Sequence, residues 1–261
     1  MNSRAFHALM VAAALAAHSG IGVSETGKYP VLLRGVALDV FHCPCPAGTA
    51  PRRNPVLFSP GDGGWRGFAI DIAESLAYRG YDMYGIDTHA YLEAFTGKTT
   101  LSPSDVREDY QTLAEWIVPR TSGPVTLLGW SEGAGLSLLA ASGKNARSAF
   151  SGLVTLGLST ENILGWRRRD DITWLTKKNP DEPKFSARDY LPLVAPLPLL
   201  MIHSTGDEYT PVGEARELFS LAAEPKKFQV IQAKNHHFDG NVREFFRVLD
   251  EGLKWTESVQ R

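Results

Sequence analysis

Beyond residue 30 the chain repeats one pattern: a short, nearly continuous apolar run, then a longer amphipathic stretch. Apolar runs cover 33–43, 55–59, 81–86, 125–129, 152–158, 199–203 and 228–232. Such runs suit strands buried on both faces, as in a parallel sheet covered by helices. Amphipathic stretches at 67–78, 105–118, 133–141, 212–222 and 242–256 predict those helices. Ser102 and Ser104, ahead of Asp105, supply N-cap chemistry for one of them. The expected fold is α/β, a mostly parallel central sheet with helices on both faces, in one domain over 30–261.

Composition agrees with this reading and narrows the partners. The 261 residues are 43% hydrophobic and 21% charged, ample for a large core without staples. With 27 basic against 29 acidic residues, global charge gives no reason to expect nucleic acid. No run reaches the roughly 18 apolar residues of a membrane span.

The amino terminus has its own character. Arg4 precedes an apolar run over 8–17, and the small residues Ala17 and Ser19 sit where an export peptidase would read them. This is the tripartite pattern of a secretory signal peptide over 1–19, which implies a periplasmic mature protein. Cys43 and Cys45 are too close to bridge without strain, and read as two thiols with no catalytic part.

One stretch interrupts the alternation. Residues 161–196 carry Trp166, Arg167, Arg168, Arg169, Trp174, Lys177 and Lys178 between two strands, a lid-like insertion. Charge runs are often only solvated surface; the two tryptophans weigh towards binding.

The chemistry concentrates in Gly129-Trp130-Ser131-Glu132-Gly133, between an apolar strand and a small-residue helix. A turn that tight needs flanking glycines and lifts the serine hydroxyl above the sheet edge at a helix N-terminus. A hydroxyl needs a base, and the base an orienter. Asp207 closes the strand at 199–203, and His236 and His237 follow the strand at 228–232. The order Ser131, Asp207, His236 or His237 is the one expected of this fold class. The turn Pro60-Gly61-Asp62-Gly63-Gly64-Trp65 offers backbone amides for an oxyanion, assigned to Asp62 and Glu132. A phosphate loop is disfavoured there, because no Lys-Ser/Thr follows and no G-x-G-x-x-G is present. Asp62 and Asp71 lack a histidine cluster for a metal, so neither metal nor cofactor is expected.

These residues resemble the α/β-hydrolase superfamily, with Ser131 in its nucleophile elbow. Asp207 falls in a segment similar to H-G-T-x-D-x-x-x-P, and His236-His237-Phe238 matches the late H-x-F segment. On that match His236 is the base and His237 a neighbour. More narrowly, Ser59-Pro60-Gly61-Asp62-Gly63-Gly64-Trp65 and the His-His-Phe-Asp-Gly run are similar to periplasmic VirJ/AcvB-type virulence proteins. Their elbow reads closer to S-F-G-A-D, where this chain has Ser131-Glu132-Gly133-Ala134-Gly135. The resemblance implies hydrolysis of aminoacylated phosphatidylglycerol, mainly the lysyl form.

The expectation is therefore an exported serine hydrolase acting on a small-molecule or lipid carboxylic ester. Trp65, Trp130, Trp166, Trp174 and His237 are candidates to line its substrate site. Glu132 either meets a cationic group of the substrate or simply suits a helix start. A lipid substrate would bring peripheral contact with a membrane surface, and no obligate protein partner is implied. The alternatives are a peptidase or small-ester esterase on the same triad, or a non-catalytic periplasmic secretion-accessory or binding protein.

Overall fold

A computed structural model describes residues 26–49, 54–97, 100–121, 123–172, 176 and 180–259. The signal-peptide expectation and Trp174 lie outside the described residues. Eight strands form the main sheet: β1 (Gly27–Leu33), β2 (Val36–Cys43), β3 (Val56–Ser59), β4 (Met83–Ile86), β5 (Val125–Trp130), β6 (Phe150–Leu156), β9 (Leu199–Ser204) and β10 (Lys226–Ile231). Their spatial order is β1-β2-β4-β3-β5-β6-β9-β10. β1 and β2 pair antiparallel with each other, as do β2 and β4; every pair from β4 to β10 is parallel. This is the expected mostly parallel sheet.

Alternate strand residues face two separate cores, which is why the runs read as continuously apolar. On one face Leu57, Leu127, Leu153 and Met201 pack against α3 (Pro103–Ile117), α4 (Glu132–Ala141) and α5 (Val212–Leu221). On the other, Phe58, Leu128, Val154 and Ile202 pack against α1 (Phe68–Tyr78) and α6 (Val242–Val259). The α3 start is a capping box: the Ser102 side chain accepts from the Asp105 amide and the Asp105 side chain from the Ser102 amide.

Two local expectations need correction. The run at 33–43 is not one strand, since Arg34 (φ 48°) and Gly35 (φ 84°) turn the chain and set β1 against β2 as a hairpin. Both central residues take left-handed backbone, the geometry that matches strand twist in a two-residue loop. The ordered sheet thus begins at Gly27, ahead of residue 30. A helix not anticipated, α2 (Thr88–Ala94), follows β4 with Asp87 as N-cap, its side chain accepting from the Ala90 amide. The insertion at 161–196 contains a ribbon of its own, β7 (Glu161–Ile163) antiparallel to β8 (Lys184–Ser186).

Candidate active site

The site stands at the carboxyl ends of the parallel strands, where loops from β3, β5, β9 and β10 converge. Ser131, between β5 and α4, holds φ 56° and ψ −125°. A non-glycine residue in that region costs on the order of 1–3 kcal/mol and persists only where its surroundings impose it. Here the Ser131 amide donates to the Leu156 carbonyl at 2.9 Å, and the Ala134 amide to the Ser131 carbonyl at 2.8 Å. The flanking glycines are a steric necessity. A Cβ on Gly133 would stand 2.0 Å from the Ser59 carbonyl oxygen, and one on Gly129 would stand 2.3 Å from the Gly133 carbonyl oxygen.

Asp207 and His236 form a buried pair. The His236 Nδ1–H donates to Asp207 Oδ2 at 2.6 Å, while Asp207 Oδ1 accepts the Tyr209 and Thr210 amides at 3.0 and 3.1 Å. Burial pushes the Asp207 carboxyl up. The His236 hydrogen bond and charge, with the two amides, outweigh it and leave the carboxyl below its ordinary 3.8. His236 is 3% exposed, and its Nε2 is buried without a hydrogen-bond partner. Its ring lies near-parallel to Trp130 (centroids 5.7 Å, 27°) and edge-on to Tyr209 (5.2 Å). Gly157 backs it, since a Cβ there would fall 2.4 Å from His236 Cε1. His237 is exposed and packs its ring against Trp130 (4.9 Å) and Phe68 (5.7 Å).

The loop after β3 passes directly against Ser131: a Cβ on Gly61 would lie 3.1 Å from Ser131 Cβ and 3.6 Å from its Oγ. Glu132 is the first residue of α4, so its amide has no acceptor within the helix. The Glu132 carboxylate turns to the insertion, Oε1 accepting the Ile163 amide at 2.6 Å. Burial pushes that carboxyl well above 4.5; the Ile163 amide opposes this and the Asp62 charge adds to it.

Ser131, His236, Asp62 and Glu132 face one cleft of about 870 Å³, as do Trp130, Trp166 and His237. Trp65 stands apart from it. Its ring stacks on Phe41 (4.8 Å, 8°) and covers Gly85, where a Cβ would collide with it at 1.9 Å. Trp166 is 1% exposed, with its indole N–H donated to Asp171, so little of it is open to a substrate. Arg167 and Arg169 are engaged with Glu182, whose side chain is 3% exposed.

Sequence reasoning passed over several residues here. Gly157 and His203 back the Asp207–His236 pair, the latter through Nε2 donating to the Thr210 carbonyl at 2.8 Å. Glu208 accepts the His236 amide at 2.8 Å, and Tyr209 stands at the mouth. Glu208 and Tyr209 adjoin Asp207 and were within reach of a motif reading; Gly157 carried no such signal. Cys43 and Cys45 are both free thiols. Among the described residues no group of three or more His, Cys, Asp or Glu side chains could hold a metal ion.

Comparison with known proteins adds family and fold. An Escherichia coli K12 protein, YfhR, is 36% identical over 55 residues, 21% of this chain and 19% of that protein. Solved structures cover far more. An α/β serine hydrolase without a lid, XC6422 from Xanthomonas campestris, covers 90% of this chain and 97% of its own, at 14% identity and TM-score 0.61. The dienelactone hydrolase of Anabaena variabilis covers 88% and 98%, at 19% identity and TM-score 0.62. A membrane phospholipase A described as a bacterial virulence factor covers 95% and 92%, at 15% identity and TM-score 0.61. At such identities these likenesses establish the α/β-hydrolase fold. Residues 54–256 match the family of the bacterial virulence protein VirJ, and the chain therefore belongs to the VirJ family.

Proposed function

We propose that this protein is an exported serine hydrolase that cleaves a carboxylic ester. Ser131 Oγ attacks the ester carbonyl while His236 Nε2 takes its proton, and Asp207 orients the imidazole and stabilises its charged form. The Asp62 and Glu132 amides receive the oxyanion. The protonated His236 then gives its proton to the departing alcohol, and water repeats the sequence to release the acid. The observation that carries this reading is the buried, unpartnered Nε2 of His236 in the cleft it shares with the strained Ser131, its other nitrogen held by Asp207 at 2.6 Å. His203 Nδ1 is also buried without a partner, but His203 does not line that cleft; an unpartnered imidazole nitrogen on the cleft of Ser131 favours a catalyst over a non-catalytic binding protein.

The substrate class we infer is an aminoacyl ester of phosphatidylglycerol, the lysyl form foremost. Asp62, Glu161 and Glu214 face the same cleft and suit a cationic acyl group. Ester and phospholipid chemistry among the structural neighbours is in keeping with it. Among the described residues no helix is long and apolar enough to cross a membrane, so a lipid would be met at the bilayer surface.

A fluorophosphonate probe tests the mechanism. Labelling of the purified protein that is lost in Ser131→Ala is the expected result; absence of labelling would overturn it. Rates on lysyl-phosphatidylglycerol vesicles, a p-nitrophenyl ester and a peptide panel then decide the substrate. Faster turnover of the simple ester would favour the small-ester esterase.

A further inference from the structure

The loop that would hold the oxyanion is a β-turn: the Gly64 amide donates to the Gly61 carbonyl at 3.0 Å, leaving Asp62 and Gly63 at its centre. In any such turn the central peptide, here the Asp62 C=O and the Gly63 N–H, can flip and reverse the direction of both. Glycine at the third position makes both forms accessible, because the flipped form needs a positive φ there. In this structure Gly64 has φ 77° while Gly63 has no positive φ, so the turn is in the unflipped form. Intrinsic preference alone does not select it.

The junction of β4 and α2 makes that selection. His89 Nδ1 lies 2.9 Å from the Asp62 carbonyl oxygen, which can only accept, so the imidazole donates. The same junction takes the loop's exit: Asp87 Oδ2 accepts the Trp65 amide at 3.1 Å, and its carboxylate packs against Gly64. His89 is itself backed by the Trp166 ring (centroids 5.6 Å), which the insertion buries to 1% exposure. Asp62 and Gly63 line the cleft and the loop touches Ser131, and His89 holds that loop through the Asp62 carbonyl.

We propose that His89 is a positioning residue, whose bond to the Asp62 carbonyl locks the central peptide of the Gly61–Gly64 turn and so holds in place Asp62, the residue whose own amide is assigned to the oxyanion. This rests on the serine-hydrolase reading above. The Asp62 amide belongs to the preceding peptide, so an unlocked turn costs it a fixed position, at the step where charge appears on the substrate oxygen. The loss therefore falls on the chemical step rather than on substrate binding. A donated hydrogen bond is all the role requires, so a shorter amide side chain that can still donate restores part of it.

The test compares His89→Ala and His89→Asn with the wild type in two measurements. On a p-nitrophenyl ester, His89→Ala should lower kcat about tenfold or more with KM within about twofold, and His89→Asn should recover part of kcat. Hydrogen–deuterium exchange of the peptide spanning 58–68 should accelerate in His89→Ala and return towards wild type in His89→Asn, with thermal midpoints alike. Unchanged loop exchange in a folded His89→Ala protein would overturn the proposal whether or not the wild type hydrolyses esters. A failure of the mechanism itself would show separately, as a wild type that a fluorophosphonate does not label. An equal loss in both variants, or a rise in KM with kcat kept, would also overturn it.

Discussion

Glu132 joins the tight turn at Ser131 to the insertion: its Oε1 accepts the Ile163 amide across 2.6 Å, from the first turn of α4 to the end of β7. The contact fixes the residue whose amide is assigned to the oxyanion. Glu132→Gln keeps an oxygen for Ile163, and kcat should stay within about threefold; Glu132→Ala should lose about tenfold. Because the folded-state carboxyl is held well above 4.5, its protonated form favours the native state, and this stability is lost as pH rises through the folded value. Thermal midpoints against pH should therefore fall less steeply on the alkaline side in Glu132→Gln than in the wild type.

The adjacent histidines should separate cleanly. His236 is buried and bound to Asp207, while His237 is exposed and packs its ring against Trp130 and Phe68. His236→Ala should approach the inactivity of Ser131→Ala, a loss of several orders of magnitude in kcat. His237→Ala should keep turnover within about tenfold. Steady-state rates on one ester suffice, and an exchange of the two outcomes would move the base to His237.

Gly157 carries φ 60° and stands where a Cβ would fall 2.4 Å from the His236 ring. Gly157→Ala should push the imidazole out of line with Ser131 and lower kcat about a hundredfold, as displacements of about 1 Å do. Fluorophosphonate labelling should slow in proportion, while circular dichroism stays that of the wild type.

The arginine cluster divides by partner. Arg167 donates to Glu182 through Nε, and Arg169 stands 3.5 Å from the same buried carboxylate, whereas Arg168 is exposed. Removing Arg167 leaves the buried Glu182 charge with Arg169 at 3.5 Å in place of a direct hydrogen bond. Arg167→Ala should lower the thermal midpoint by a few degrees and slow lipid and small-ester substrates alike. Arg168→Ala should leave the midpoint unchanged, and slower turnover of anionic vesicles alone would assign it to lipid contact.

Asp109 offers a test of the core away from the site. Burial raises its carboxyl from 3.8 to about 6, against the lowering effect of the Tyr91 hydroxyl that donates to it at 2.7 Å. The native state therefore binds the proton more tightly, and stability is lost as pH rises from about 4 to about 6. Asp109→Asn should remove that slope and be more stable at pH 7 by about 3 kcal/mol, read from urea unfolding at both ends of the range.

The sequence alone determined the layers, the strand count of the parallel part and the tight turn at Ser131. Each depends on short-range patterning: apolar runs that only a two-faced sheet can bury, and glycines at 129 and 133 that only close backbone approach requires. It also brought Asp207 and His236 forward, since both follow strands and the fold places such loops at one edge. What it left open depends on neighbours distant in the chain. Trp65 and Trp130 are alike as residues, yet one lies over Gly85 beneath Phe41 and the other against His236. Arg167 reads as a surface charge until Glu182 is folded beneath it. Gly157 and His89 carry no motif, because what each one holds, the His236 ring and the Asp62 carbonyl, comes from a separate loop. Local pattern encodes what a segment must bury; only tertiary packing decides which side chain meets which, because those contacts join segments whose sequences carry no record of each other.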